Sequence, residues 1–150
     1  MKAKRFLPVG LIAVLFTVLT CWYAVAQQCN AFSKKKCLPV LKPFQHNGLH
    51  NIVAMSPGES AALEMTFYAD TDYRLAVCND ERLGDVSFRV LRKDSSVVFD
   101  SRKFGNPRMW DFTMNSTQQY FIEVDVPRAK NRTSVEETGC VSVLAGYKKN

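Results

Sequence analysis

Apolar and polar residues alternate along most of the chain beyond Asn51. In the stretch Asp85 to Arg92, Val86, Phe88 and Val90 fall on one side, and Asp85, Ser87 and Arg89 on the other. A period of two marks a strand with one buried face. Lys93 to Ser96 supplies turn residues, and Val97 to Phe99 returns, which makes a hairpin. The same alternation places Leu63, Met65 and Phe67 together within Ala61 to Tyr68. It recurs in Tyr73 to Cys78, in Trp110, Phe112 and Met114, in Tyr120, Ile122, Val124 and Val126, and in Val141 to Tyr147. With Asn51 to Met55, the pattern predicts about eight strands with turns at the spacing of an all-β protein. Pro127 ends the longest alternating set by removing a ladder donor.

Each strand has one apolar face to cover. No helical pattern after Leu83 is long enough to cover it, so the prediction is a second sheet and an antiparallel β-sandwich. Gln28 to Lys36 reads as a short helix ahead of Leu38-Pro39. Leu41 to Leu49, with Pro43 and Asn47-Gly48, reads as a connector. Pro127 to Gly139 is polar and reads as a surface loop.

The first 26 residues have a different pattern. Lys2, Lys4 and Arg5 precede an apolar run from Phe6 to Tyr23, and Ala24-Val-Ala26 has the small-x-small form of a cleavage site. The predicted organisation is a signal peptide over 1–26, an N-terminal helix and connector over 27–48, and a sandwich domain over 49–150. The rival reading keeps the apolar run as an anchor, since it approaches spanning length. Lipidation at Cys21 is disfavoured, because Thr20 is larger than the residue a lipoprotein signal has there. Cleavage leaves an exported chain, periplasmic or extracellular, with no stable membrane span.

Removing the leader changes the charge balance. The chain has 20 basic and 14 acidic residues; three of the basic ones lie in the leader, so 17 against 14 leaves +3. That excess is too mild for a nucleic-acid footprint, which needs a dense basic patch. Lys34-Lys-Lys36 reads as a solvated face.

Cys29, Cys37, Cys78 and Cys140 remain after cleavage. An even number in an exported chain predicts two structural disulfides, with three connectivities to choose from. If Gln28 to Lys36 is helical, Cys29 and Cys37 stand about 12 Å apart at 1.5 Å per residue. A disulfide needs Cα atoms within about 7 Å, so each would then pair with Cys78 or Cys140. Cys78 is out of phase with Leu75 and Val77, and Cys140 with Val141 and Val143. Both thiols should therefore face away from the core, where an N-terminal segment can reach them. The alternative pairs Cys29 with Cys37 in a loop and Cys78 with Cys140 across strands. There is no CxxC and no thiol–histidine motif for a metal or redox site.

Catalytic and cofactor chemistry finds little to stand on. His46 and His50 are the only histidines; their spacing would suit a metal on a helix, but Asn47-Gly48 breaks helices there. No serine sits in GxSxG, and Ser60 and Ser142 read as turn and strand residues. Asp70 and Asp72 lie in a loop separated by one strand from Asn79, Asp80 and Glu81. That strand spans roughly 20 Å at 3.3 Å per residue. The loops cannot share a calcium ion, and the same distance argues against paired-carboxylate glycosidase chemistry between them. The expectation is no enzyme activity, no catalytic residue, no metal ligand and no cofactor. Trp110, Phe112, Tyr120 and Tyr73 read as core aromatics, with Trp110 the one whose exposure would signal a sugar-binding face. Phe121 is out of phase with the buried set. With Met109 and Leu91 it is expected to make a small outer patch, covered by Phe32, Leu38 and Val40 of the N-terminal segment or open to a partner. Trp110 and Phe121 are thus the candidate ligand-facing residues. Asn115-Ser-Thr117 and Asn131-Arg-Thr133 match the N-glycosylation pattern.

The segments FYADTDYRLAVC (67–78), LGDVSFRVLRKDSSVVFDS (83–101), WDFTMNSTQQYFIEVDVP (110–127) and GCVSVLAGYK (139–148) resemble small exported proteins of Bacteroidetes. Their order is similar to the bacterial pre-peptidase C-terminal type of β-sandwich over roughly residues 58 to 147. That resemblance implies a jelly-roll-like, non-catalytic appendage of secreted enzymes, sometimes calcium-binding, with no catalytic residue to carry over. This chain departs from the pattern by standing without a protease and by carrying cysteines. The function expected is a non-catalytic binding or structural module of the cell envelope, its partner an envelope protein or a polysaccharide and not a nucleic acid. The alternatives are a carbohydrate-binding module, an accessory protein for a secreted protease or other hydrolase, and a hydrolase of unfamiliar type built around His46 or His50.

Overall fold

The computed structural model describes residues 28–128 and 138–149. The predicted leader with its predicted cleavage site and the Asn131 glycosylation pattern lie outside them. Nine strands are present among the described residues: β1 (Gln45–His46), β2 (Asn51–Met55), β3 (Ser60–Phe67), β4 (Thr71–Asn79), β5 (Ser87–Leu91), β6 (Val97–Asp100), β7 (Met109–Met114), β8 (Gln118–Asp125) and β9 (Gly139–Lys149). All pairings are antiparallel. One sheet runs β9-β4-β7, with β1 and β2 both along the outer edge of β9; the other runs β3-β8-β5-β6. Two four-strand rows in this order form a jelly roll of two Greek keys.

The eight strands that alternation predicts are all here. The ninth, β1, falls inside the predicted connector. It is two residues long, paired with Tyr147 and Gly146, and sits between Pro43 and Asn47-Gly48, so it has no periodicity to read. β1 and β2 are in effect one edge strand interrupted by the loop from Asn47 to His50.

The inner faces carry the expected residues. Phe67, Leu75, Phe88, Val90, Ile122 and Val143 are buried in one cluster. Each such side chain contributes about 1.5–3 kcal/mol relative to exposure. The loop after β4 is not wholly polar in role: Glu81–Leu83 forms a 3-10 turn that buries Leu83.

The N-terminal segment is helical from residue 28 to Leu41, widening to a π turn over Ser33–Cys37 and tightening to 3-10 over Leu38–Leu41. It lies on the outer face of the β9-β4 sheet. Cys37 and Leu41 pack there against Ala76, Cys78 and Leu144. The helix keeps Cys29 from Cys37, and Cys29 instead bridges to Cys140 on β9, with Cα atoms 5.3 Å apart. The expected outside tether is therefore present. The second expected disulfide is not: Cys37 and Cys78 are buried thiols, both under the helix.

Arg74 on β4 fastens the connector. Its guanidinium donates to both oxygens of Asp111 (2.7 and 2.6 Å), to the Lys42 carbonyl (2.7 Å), and lies 4.8 Å from the centre of the Phe44 ring. The connector passes so close to β9 that a Cβ on Gly146 would meet Phe44 Cβ at 2.8 Å. Only glycine admits that approach.

One packing expectation is overturned. Met109 does not join Phe121 and Leu91. β7 pairs with β4, whereas Leu91 and Phe121 face each other on β5 and β8 of the other sheet. The N-terminal segment covers the β9-β4 sheet, so it does not reach Phe121. The phase of Phe121 was readable, but which sheet owns each strand is a matter of long-range pairing.

Candidate functional site

A sandwich has two open sides, where the edge strands of its sheets face each other. Here the two sides differ. Between β6 and β7 the gap is filled by aromatic rings. Trp110 stacks on Phe112 (centroids 4.1 Å apart) and on Phe99 (4.9 Å), and Phe99 stacks on Phe104 (5.3 Å). A sugar ring would have to displace Phe99 or Phe112 to stack on Trp110.

Between β2 and β3 the gap is open. A cleft of about 360 Å³ runs there, lined by His50, Val53, Ala61, Leu63, Val124 and Val141 among others. The register explains it. Val53 pairs with Val141 and Met55 with Gly139, so Asn51, Val53 and Met55 share the inward face with Val141 and Val143. Val141 is buried at 1%, yet Val53 directly opposite is 44% exposed. On β3 the inward residues are Ala61, Leu63, Met65 and Phe67, paired to β8 through Val124, Ile122 and Tyr120. Burial fades along this row, from Phe67 and Met65 in the core to half-buried Leu63 and Ala61. The small side chains of Ala61 and Ala62 leave the wall low. Val53 thus has the phase of a core residue and no cover among the described residues.

Both bounding strands pair on one side only. Among the described residues β2 pairs with β9 and β3 with β8. Each therefore offers a row of main-chain donors and acceptors beside an apolar slot. A slot of this size lies within the range that takes a ligand group. Chemically, the arrangement can hold an apolar side chain and hydrogen-bond an extended main chain.

His46 and His50 lie at one end of this edge, with rings 4.6 Å apart. His46 Nε2 donates to the Leu49 carbonyl (3.1 Å), and the Gly48 amide donates to Nδ1 (3.3 Å). Burial lowers the His46 pKa, which fits this neutral tautomer. With both nitrogens bound to its own loop, His46 offers no lone pair to a metal and no free base. Among the described residues no group of three His, Cys, Asp or Glu is placed to hold a metal ion. Two of the loop acids are engaged locally. Asp80 takes Arg82 through both oxygens (3.0 and 2.7 Å), and Asp72 accepts from the Thr113 hydroxyl (2.7 Å). These two acids stand at opposite ends of β4.

The sequence candidates fall elsewhere. Trp110 belongs to the aromatic fill of the closed side, and Phe121 lies half-buried beside Leu91 on the outer face of the second sheet. Neither lines the cleft. The residues that do were read as ordinary strand positions. The available signal was Ala61-Ala62 opening a strand whose later inward positions are Met65 and Phe67.

No family model matches the chain, and no curated protein sequence matches it. The resemblance to the pre-peptidase C-terminal type is therefore matched here only by the two-sheet β architecture. Among solved structures the chain aligns with a periplasmic lysozyme inhibitor of g-type lysozyme from Aeromonas hydrophila, at 12% identity and a TM-score of 0.49, over 71% of this chain and 90% of that one.

Proposed function

We propose that this protein is an exported, non-catalytic binding module of the cell envelope, and that its partner is a protein segment held along the β2–β3 side. Export is supported by the leader pattern and by the Cys29–Cys140 bridge, since such bonds persist in oxidising compartments. No helix among the described residues is long and apolar enough to cross a membrane. The observation that carries the binding reading is Val53, a core-phase residue left 44% exposed between two strand edges that have no partner among the described residues. An extended segment can add a strand to such an edge while an alternate side chain enters the slot.

The test is capture from envelope extract with three proteins in parallel: the exported protein, its Val53→Asp variant, and Thr66→Asp on the outer face of β3. The expected result is one dominant protein retained by the first and third and lost with Val53→Asp. Capture indifferent to Val53→Asp would refute the site. Retention on a polysaccharide fraction alone would shift the function to carbohydrate binding.

A further inference from the structure

Four buried polar groups form a row beneath the N-terminal helix. Ser33 and Cys37 share the inward face of the π turn, and neither has exposed surface. The Ser33 and Ser142 hydroxyls are 2.8 Å apart. Ser142 also hydrogen-bonds the Cys37 thiol, and Cys37 in turn interacts with the sulfur of Cys78 on β4.

The two thiols differ in access. Cys37 is 0% exposed and Cys78 7%. Cys78 forms part of the wall of a groove of about 570 Å³ that opens beside the helix, between Phe32, Val40 and Met109, with Arg108 among its lining residues. The Cys37 hydrogen bond lowers the Cys78 pKa, and the positive charge of Arg108 acts in the same direction. Cys37 is pushed the other way, first by its bond to Cys78 and then by burial. A thiolate is the species that attacks a disulfide.

We infer that Cys37 and Cys78 form a second disulfide in the mature protein, made by exchange with the disulfide of a thiol–disulfide oxidoreductase that reaches Cys78 through this groove. The Cys78 thiolate attacks one donor sulfur, a mixed disulfide forms, and the donor's other sulfur leaves as a thiolate. Cys37 then loses its proton and attacks the Cys78 sulfur, expelling the second donor thiolate. The chain loses two electrons and two protons, and the donor ends as a dithiol. Burial of Cys37 fixes the order, because only Cys78 faces the groove.

The test is disulfide mapping of the full protein from acid-quenched whole cells, alkylated in denaturant without reductant. Tryptic cleavage after Lys36 separates Cys29 from Cys37, so each bridge is read independently. The expected result is Cys37 linked to Cys78 alongside Cys29–Cys140, with no alkylation at either. Cys29–Cys140 linked and Cys37 and Cys78 both alkylated would overturn this inference and leave export standing. All four alkylated would sink both. Refolding of Cys37→Ser in oxidised glutathione should trap glutathione on Cys78, whereas Cys78→Ser should leave Cys37 unmodified. The reverse pattern would overturn the order of attack.

Discussion

The hydroxyls of Ser33 and Ser142 meet at 2.8 Å with no exposed surface on either residue, joining the N-terminal π turn to β9 across 109 positions of sequence. Ser142 keeps a second partner in Cys37. Ser33→Ala should therefore cost about 1 kcal/mol, the net value of one hydrogen bond, because Ser142 is not orphaned. Ser142→Ala should cost about 1–3 kcal/mol, since it strips partners from two buried groups at once. Denaturant midpoints of the two variants and the double variant check this. A double variant no worse than Ser142→Ala alone is expected.

Cys29–Cys140 closes nearly the whole described chain. Loss of such a native bridge from a small domain costs about 2–5 kcal/mol. Cys29→Ser should lower the melting temperature accordingly, and wild type heated in reductant should approach the variant. Identical melting with and without reductant would contradict a structural role.

Val53 and Val141 are cross-strand partners with opposite fates on folding. Val141→Ala removes buried methyl groups and should cost about 2 kcal/mol or more. Val53→Asp leaves packing almost untouched and should stay within about 0.5 kcal/mol of wild type. Urea unfolding of the two separates them. A large loss for Val53→Asp would mean that the position is core and not a contact surface.

Asp80 gives the fold a pH dependence. The hydrogen bond from the Arg82 guanidinium, aided by the Arg82 amide, holds its carboxyl below the ordinary 3.8. A depressed folded-state pKa contributes stability above the unfolded value and loses it as pH falls through the folded one. Melting temperature should therefore decline more steeply below about pH 4 in wild type than in Asp80→Asn. Asparagine caps the Glu81–Leu83 turn comparably, so the difference isolates the charge.

Much of the architecture was legible because alternation is local. Val86, Phe88 and Val90 declare a strand without reference to anything distant, and so do Tyr120, Ile122 and Val124. The outward phase of Cys78 and Cys140 likewise pointed to an outside tether, which Cys29 supplies. What could not be read depends on pairing between distant segments. Met109 and Phe121 share an outward phase, and only sheet membership separates them. Trp110 alternates like any core aromatic, and its rank beside Phe99 is set by the facing of β6 and β7. The cleft is harder still: it needs Val53 against Val141, Ala61 against Val124, and two edges left side by side.

The bridge from Cys29 to Cys140 has a topological consequence. The bridged cysteines are 111 positions apart in sequence, and closing them makes a covalent ring that holds eight of the nine strands among the described residues, with the rest of β9 as a tail. A protease that nicks any one loop within that ring opens a circle but frees no piece. The two new ends stay attached through sulfur, and the strands on either side of the cut remain in register. Wherever proteases act and reductants are scarce, a single cleavage would leave this protein one molecule.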